Sequence, residues 1–440
     1  MPRTWAITAD WEVLDEGSHE ERSCFAALGI QARHIWLTEG QDALANRLRQ
    51  APLLSAYHLA EWLAWNWWRL RWEPRASSED WRLSHRMSSI GHGYVWPNIT
   101  IFSDGERTAL IAKATTESPQ SIFRYINNDA VIIPSSEFEA EVDEFLDKVL
   151  GRLESMGTNR SNLRCLWDDV LAERRDPRLA RTRKFQALLG TDPDQSSDDA
   201  VARLTENAAA LGIAGVEEIA ADQGGAGTAS IPSVAELNTI AGRYGFNALP
   251  ANMVRLSDAS VHAEKRSDVP AWKVGAEVAR LLRRQERCDD APIPDVQLTD
   301  MVAADARIIT AQERTNADMS FALDVSGGQS KVVLRSRWHA GRRFELARLL
   351  GDRLMGMQER LYPATRAFTY RQKAQRSFAA ELLSPFNAVM NMLQGDYSLE
   401  KQLDVAEHFN VSELTVRTQL VNHKILERED LDTEAVARTG

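Results

Sequence analysis

Glu345, Arg348 and Asp352 stand at i, i+3 and i+7, a spacing that puts all three on one face of a helix with a guanidinium between two carboxylates. Such a cluster either neutralises a buried cleft or lies in solvent as an ion-pair row worth about 0.3–0.5 kcal/mol per pair. The surrounding stretch, Lys331 to Arg376, holds twelve Lys or Arg and three acids (Glu345, Asp352, Glu359) in a chain whose formal charge is −11. Arg335, Arg337, Arg342, Arg343, Arg353, Arg371, Lys373 and Arg376 are therefore candidates for an anion- or partner-binding surface, suited to an acidic protein segment or a nucleic-acid backbone. The nine histidines are scattered. His85 and His92 flank the start of an unusual loop, Gly91-His-Gly-Tyr-Val-Trp-Pro97. With Asp104 and Glu106 they form a set that coordinates or titrates only if the fold converges it, and hydrogen-bonded loop histidines are the commoner outcome. No P-loop, dinucleotide-binding fingerprint or Gly-x-Ser-x-Gly elbow occurs.

The elements that must position these groups follow from periodicity and turn signals. Five tryptophans fall within Glu61 to Trp72, and the spacing predicts one helix burying Trp62, Trp65, Trp68 and Trp72 up to Pro74. Thr4–Leu14 and Ile30–Leu37 read as extended. Asn98–Phe102 and Thr108–Lys113 alternate about Ser103-Asp-Gly-Glu106, a hairpin signal. A helix is expected from Glu137 to about Ser155, capped by Ser135 or Ser136. Helical segments follow at Leu163–Arg174, Leu179–Leu189, Ala200–Leu211, Val234–Arg243 and Trp272–Arg283. Lys331–Arg335 reads as extended, and Arg342–Met355 and Tyr370–Leu383 as helical. Gln402 to Ile425 reads as two short helices hinged at Asn410-Val-Ser412.

The stretch Arg343-Phe-Glu-Leu-Ala-Arg-Leu-Leu-Gly-Asp352, the later Ser377-Phe-Ala-Ala-Glu-Leu-Leu-Ser-Pro385 and the segment Gly275 to Arg283 together resemble the ImmA/IrrE family of zinc metallopeptidase-like proteins, over about Val234 to Glu427. The resemblance implies a zincin-like domain whose first motif helix carries two His one turn apart and a catalytic Glu. It also implies a further carboxylate on the next helix. In this chain the first His position is held by Arg348, the Glu position by Leu349 and the second His position by Asp352. The carboxylate position falls near Ala374, between Gln372 and Gln375. Zinc requires three ligands drawn from His, Cys, Asp and Glu, and Leu cannot serve as a base. The expectation is therefore no catalytic residue, no metal and no cofactor. The resemblance implies a regulatory or interaction protein of bacterial stress response, mobile-element control or phage defence. Its expected partner is a protein, such as a helix-turn-helix repressor or a toxin-antitoxin or defence component. A nucleic-acid-binding transcriptional regulator using residues 331–376 is the alternative, and a metallopeptidase with unusual ligands a further one. The last helix pair resembles a helix-turn-helix. Its second helix carries Arg417 as the one firm cation among Glu400, Asp404, Glu407 and Glu413, a poor endowment for major-groove reading.

Composition frames these readings. The chain has 440 residues, 44% hydrophobic and 26% charged, the profile of folded, water-soluble domains rather than of a disordered or fibrous chain. No apolar run approaches the roughly 20 residues of a membrane span, and Cys24, Cys165 and Cys288 show no paired spacing, which together suggest a cytoplasmic protein. The expected organisation is a Trp-rich α+β domain over 1–157, a helical region over 158–222 and a linker at 223–233. A zincin-like, mostly helical domain without metal ligands follows over 234–398, then a helix-turn-helix-like segment over 399–440.

Overall fold

In the computed structural model, residues 4–116, 122–193, 198–224, 231–257, 268–311, 315–356 and 358–427 are described. They form a mixed α+β chain of small antiparallel sheets and many helices, arranged as two units. One comprises residues 1–202 and 220–229, the other 203–219 and 230–440. The boundary thus runs through the helical stretch expected as a separate middle region. Most of the expected linker, residues 225–230, lies outside the described residues.

In the first unit, β1 (Trp5–Trp11), α1 (His19–Ser23), β2 (Phe25–Ala32), β3 (Ile35–Trp36), β4 (Gly40–Asp42), β5 (Arg47–Arg49) and β6 (Leu53–Ser55) precede helices α2 (Ala56–Trp65), α3 (Trp67–Trp72) and α4 (Glu79–His85). Then come β7 (Asn98–Ser103), β8 (Arg107–Lys113), β9 (Phe123–Tyr125), β10 (Ala130–Pro134), α5 (Ser135–Ser155), α6 (Asn162–Arg175) and α7 (Pro177–Leu188). The sheets run β1-β2-β3 with β6 on β2, β10-β8-β7 and β5-β4-β9. The hairpin at Ser103 forms as its turn residues demand, with Asp104 Oδ1 accepting from the Arg107 N–H at 2.9 Å. Helix α5 buries Phe138, Val142, Phe145, Val149 and Leu153, a 3.6-residue stripe facing the core. Its N-cap is Pro134 rather than a serine. The tryptophan segment departs from expectation. Asn66 ends one helix and begins another, its side chain donating to the Trp62 carbonyl at 2.9 Å. The phase resets, so Trp67 is buried instead of Trp65, which is 61% exposed.

The second unit begins within α8 (Asp198–Leu211) and takes in much of α9 (Ile213–Gln223), then α10 (Val234–Tyr244), β11 (Phe246–Ala248), α11 (Ala271–Gln285), α12 (Asp295–Val302) and α13 (Arg307–Thr310). It continues through β12 (Ser320–Val325), β13 (Gln329–Val333), α14 (His339–Met355), β14 (Leu361–Ala364), α15 (Tyr370–Leu383), α16 (Phe386–Leu393), α17 (Leu399–Phe409) and α18 (Glu413–Asn422). One antiparallel sheet, β11-β13-β12-β14, packs with α14, and α15 is sandwiched between α14 and α11. Glycines set those spacings. A Cβ on Gly275 would stand 2.2 Å from the Ala374 carbonyl oxygen, and one on Gly351 would stand 2.5 Å from the Phe378 ring. The terminal pair α17–α18, hinged where Asn410 adopts φ +52°, buries Val405, Phe409, Val416 and Leu420 in the same core as Leu350 and Phe378. It is therefore part of this unit's interior. Among the described residues, no helix is long and apolar enough to cross a membrane.

Candidate functional site

Helices α14 and α15 hold the sequence-derived candidates. Arg348 is 8% exposed, and its Nη2 donates to the Thr365 carbonyl at 2.7 Å, to Gln372 Oε1 at 2.5 Å and to Gln375 Oε1 at 3.4 Å. Both glutamines in turn donate through Nε2 to the Pro363 carbonyl at 3.1 Å. The guanidinium thus bridges the two helices and the strand between them. Asp352, 1% exposed, receives Nε and Nη2 of Arg371 at 2.7 and 2.8 Å, a bidentate pair. Glu345 accepts from the Ser336 N–H at 2.9 Å and lies 3.9 Å from Arg335. The three residues share a helix face as expected, but the hydrogen bonds of the two carboxylates go to Arg371 and Ser336. A fork of five donors finds more acceptors across the helix pair than along it.

Leu349 is 2% exposed and lines a small, mostly apolar hollow of about 10 Å³ with Val332, Val302, Ser330 and Arg353, room for one water at most. Ala374 is buried where α11 crosses. A zinc ion does not fit this set of residues, because Arg348, Leu349, Gln372, Ala374 and Gln375 offer no ligand of the required kind. Among the described residues, no group of three or more His, Cys, Asp and Glu side chains is arranged to hold a metal ion.

Carboxylates surround Arg371. Glu359 lies 3.8 Å away and caps the start of α9, accepting from the Ala214 and Gly215 N–H groups at 2.9 and 2.8 Å. Burial pulls the Arg371 guanidinium down most, yet Asp352, Glu218 and Glu359 outweigh it and hold its pKa above the ordinary value. Glu218, 6% exposed, accepts from Thr369 Oγ1 at 2.6 Å. Burial pushes its carboxyl up to about 7, against the pull of Arg371 and Thr369. Sequence reasoning missed Glu218, because it sits 151 residues upstream of its partner Thr369 with no motif around it.

Part of the basic stretch is an interior scaffold rather than a surface, while Arg360 and Arg366 are exposed. Arg342 and Arg343 are each 2% exposed. Arg342 donates to the Ile308 and Ser336 carbonyls at 2.6 and 2.9 Å. Arg343 pairs with Asp295 and donates to the Ile293 carbonyl at 2.6 Å. Arg353 pairs with Asp324 and stacks 4.0 Å from the Tyr362 ring, and Arg376 holds the Ala367 carbonyl at 2.9 Å. Arg335 and Arg337 are exposed and Lys373 is half-buried. A count of charges cannot tell a guanidinium that faces water from one that ties down carbonyls. In the terminal pair, Arg417 lies 3.6 Å from Glu413 one turn earlier, and Gln419 Nε2 donates to the Ser384 carbonyl at 2.9 Å.

The structure does not bring His85, His92, Asp104 and Glu106 together. His85 is fully buried, with Nδ1 2.7 Å from the Ile101 carbonyl oxygen and Nε2 2.9 Å from Glu73, beneath a stacked Trp81. Arg69 Nε also donates to Glu73, at 2.7 Å. Asp104 shapes the hairpin turn, and His92 stacks on His58.

No protein-family model, curated protein or solved structure matches this chain.

Proposed function

We propose that the chain is a non-catalytic, ImmA/IrrE-like regulatory or interaction protein of the bacterial cytoplasm, acting in stress response, mobile-element control or phage defence. One observation carries the reading. At the position where the family's first metal-binding His would stand, the buried Arg348 reaches across to Gln372 and Gln375, the residues flanking the position of the further carboxylate near Ala374. A permanent cation with fixed hydrogen bonds joins the two motif helices where a dication would join them. Leu349 at the Glu position carries no group that could polarise water. The scaffold then works by recognition, and its partner is a protein such as a helix-turn-helix repressor or a toxin-antitoxin or defence component. The anchoring of Arg342, Arg343 and Arg353 inside the unit favours a protein over nucleic acid.

Pull-down of the intact protein from its own cells, with and without nuclease, tests this. Retention of a stoichiometric protein partner after nuclease treatment is the expected result. Recovery that depends entirely on nucleic acid, or peptide hydrolysis lost on Asp352→Ala, would overturn it.

A further inference from the structure

In the first unit, independently of the reading of the second, a cavity of about 230 Å³ opens beside α2, lined by residues of α2 and α6 and by the loop that carries His92. It is smaller than the roughly 300–1,000 Å³ of sites for drug-sized molecules, so it suits one functional group on a short stem. Glu61 is the one acid among its lining residues. Glu61 accepts from Tyr57 Oη at 2.8 Å and from Asn162 Nδ2 at 2.9 Å. Burial, the largest influence, pushes the Glu61 carboxyl up, but its contacts with His58, Asn162 and Tyr57 together hold it below its ordinary value. His58 lies between two acids, Nδ1 3.9 Å from Glu61 and Nε2 4.0 Å from Glu21. Both distances are too long for direct hydrogen bonds, and the buried Nδ1 has no hydrogen-bond partner among the described residues.

The walls are aromatic. Trp62 and the exposed Trp65 line one side, and His92 stacks on His58 with ring centroids 3.9 Å apart and planes within 6°. The backbone is bent to put it there, since Gly91, His92 and Gly93 have φ of +73°, +56° and +80°. A Cβ on either glycine would meet nothing within 4 Å, so the glycines serve the backbone path and not packing. Three successive left-handed residues that lay one imidazole on another at a cavity are a shaped feature of the kind that collects at binding sites.

The Glu61 carboxylate at the cavity, with Glu21 4.0 Å from His58 Nε2, supplies the negative charge. Carboxylate, spare acceptors and π faces together are the chemistry that recognises an organic cation. We propose that this cavity binds a small alkylguanidinium or alkylammonium group, free or at the end of a side chain. The groups facing His58 are Glu61 on its own helix, Glu21 on α1 and His92 from the loop, with neutral Asn162 from α6.

Calorimetric titration of the full chain at pH 7.5 with methylguanidinium chloride, tetramethylammonium chloride, N-acetylarginine amide and sodium acetate tests this. Expected is one saturable site for at least one cation and none for acetate, weakened about tenfold in Glu61→Gln and in Trp65→Ala. Tighter binding of the arginine amide than of methylguanidinium identifies a side chain as the ligand, and the reverse identifies a free base. Trp65→Ala removes an exposed ring, and an unchanged melting temperature verifies its fold should Glu61→Gln prove unstable. Absence of saturable binding by any of the three cations to the folded wild type would overturn the proposal, as would acetate binding or affinity unchanged in a folded variant.

Discussion

Arg348 and Asp352 show what a single side chain can decide here. Each lies in the interior with its charge answered by groups on α15 or the segment before it, Thr365, Gln372 and Gln375 for the one and Arg371 for the other. Removing one member of a buried bidentate pair leaves the other charge desolvated, so Asp352→Ala should cost about 3–5 kcal/mol in denaturant unfolding. Glu79→Ala, which breaks the exposed pair with Arg82, should cost no more than about 0.5 kcal/mol. Glu218 gives a pH signature. Its folded carboxyl titrates at about 7 and an unfolded one near ~4.3, so between those values the native state binds the extra proton. The contribution to stability is full below about pH 4.3, declines as pH rises through 7 and is then flat, a span on the order of 3 kcal/mol. Glu218→Gln should therefore raise stability at pH 8 relative to wild type and remove that slope, read as the difference between the two unfolding curves from pH 4.5 to 8. The shared helix face of Glu345, Arg348 and Asp352 was legible from spacing. Their partners were not, because a guanidinium chooses acceptors that the fold delivers from elsewhere in the chain.

Elements were more legible than contacts. The expected Tyr370–Leu383 helix is α15 with the same bounds, and the hairpin about Ser103 and the hinge at Asn410 form where turn chemistry places them. These are local signals, settled within a few residues. The tryptophan helix failed for a local reason too: Asn66, at φ −95° and ψ 10°, leaves the helical conformation and resets the face, which periodicity averaged over twelve residues conceals. Close helix approach leaves only a faint trace, Gly275 and Gly351 within otherwise ordinary helical patterns. Gly275→Ala would drive a methyl into the Ala374 carbonyl, which has no rotamer to escape by. A loss of about 1–3 kcal/mol is expected, measured as a lowered unfolding midpoint. Gly242→Ala, at a site with nothing within 4 Å, should be neutral or stabilising.

At the scale of the whole molecule, the chain forms two units, each with its own hydrophobic core, and carries −11 overall. Because much of the basic stretch is spent on internal carbonyls and acids, the surface of the second unit is less cationic than its sequence suggests. Gel-shift with random duplex DNA at physiological salt should accordingly show no binding tighter than the roughly 10⁻⁴–10⁻⁶ M of non-specific association. The fold class was readable from composition and periodicity. The division into units was not, because contacts assign residues 203–219 to one unit and 220–229 to the other with no compositional break between them. On the function proposed above, an arginine-centred network stands where a zincin-like site would hold its metal. Metal content of the untagged protein after incubation with excess zinc and desalting tests it most directly. The account predicts far less than one zinc per chain, the same in wild type and Asp352→Ala. One zinc per chain, lost in Asp352→Ala, would contradict it.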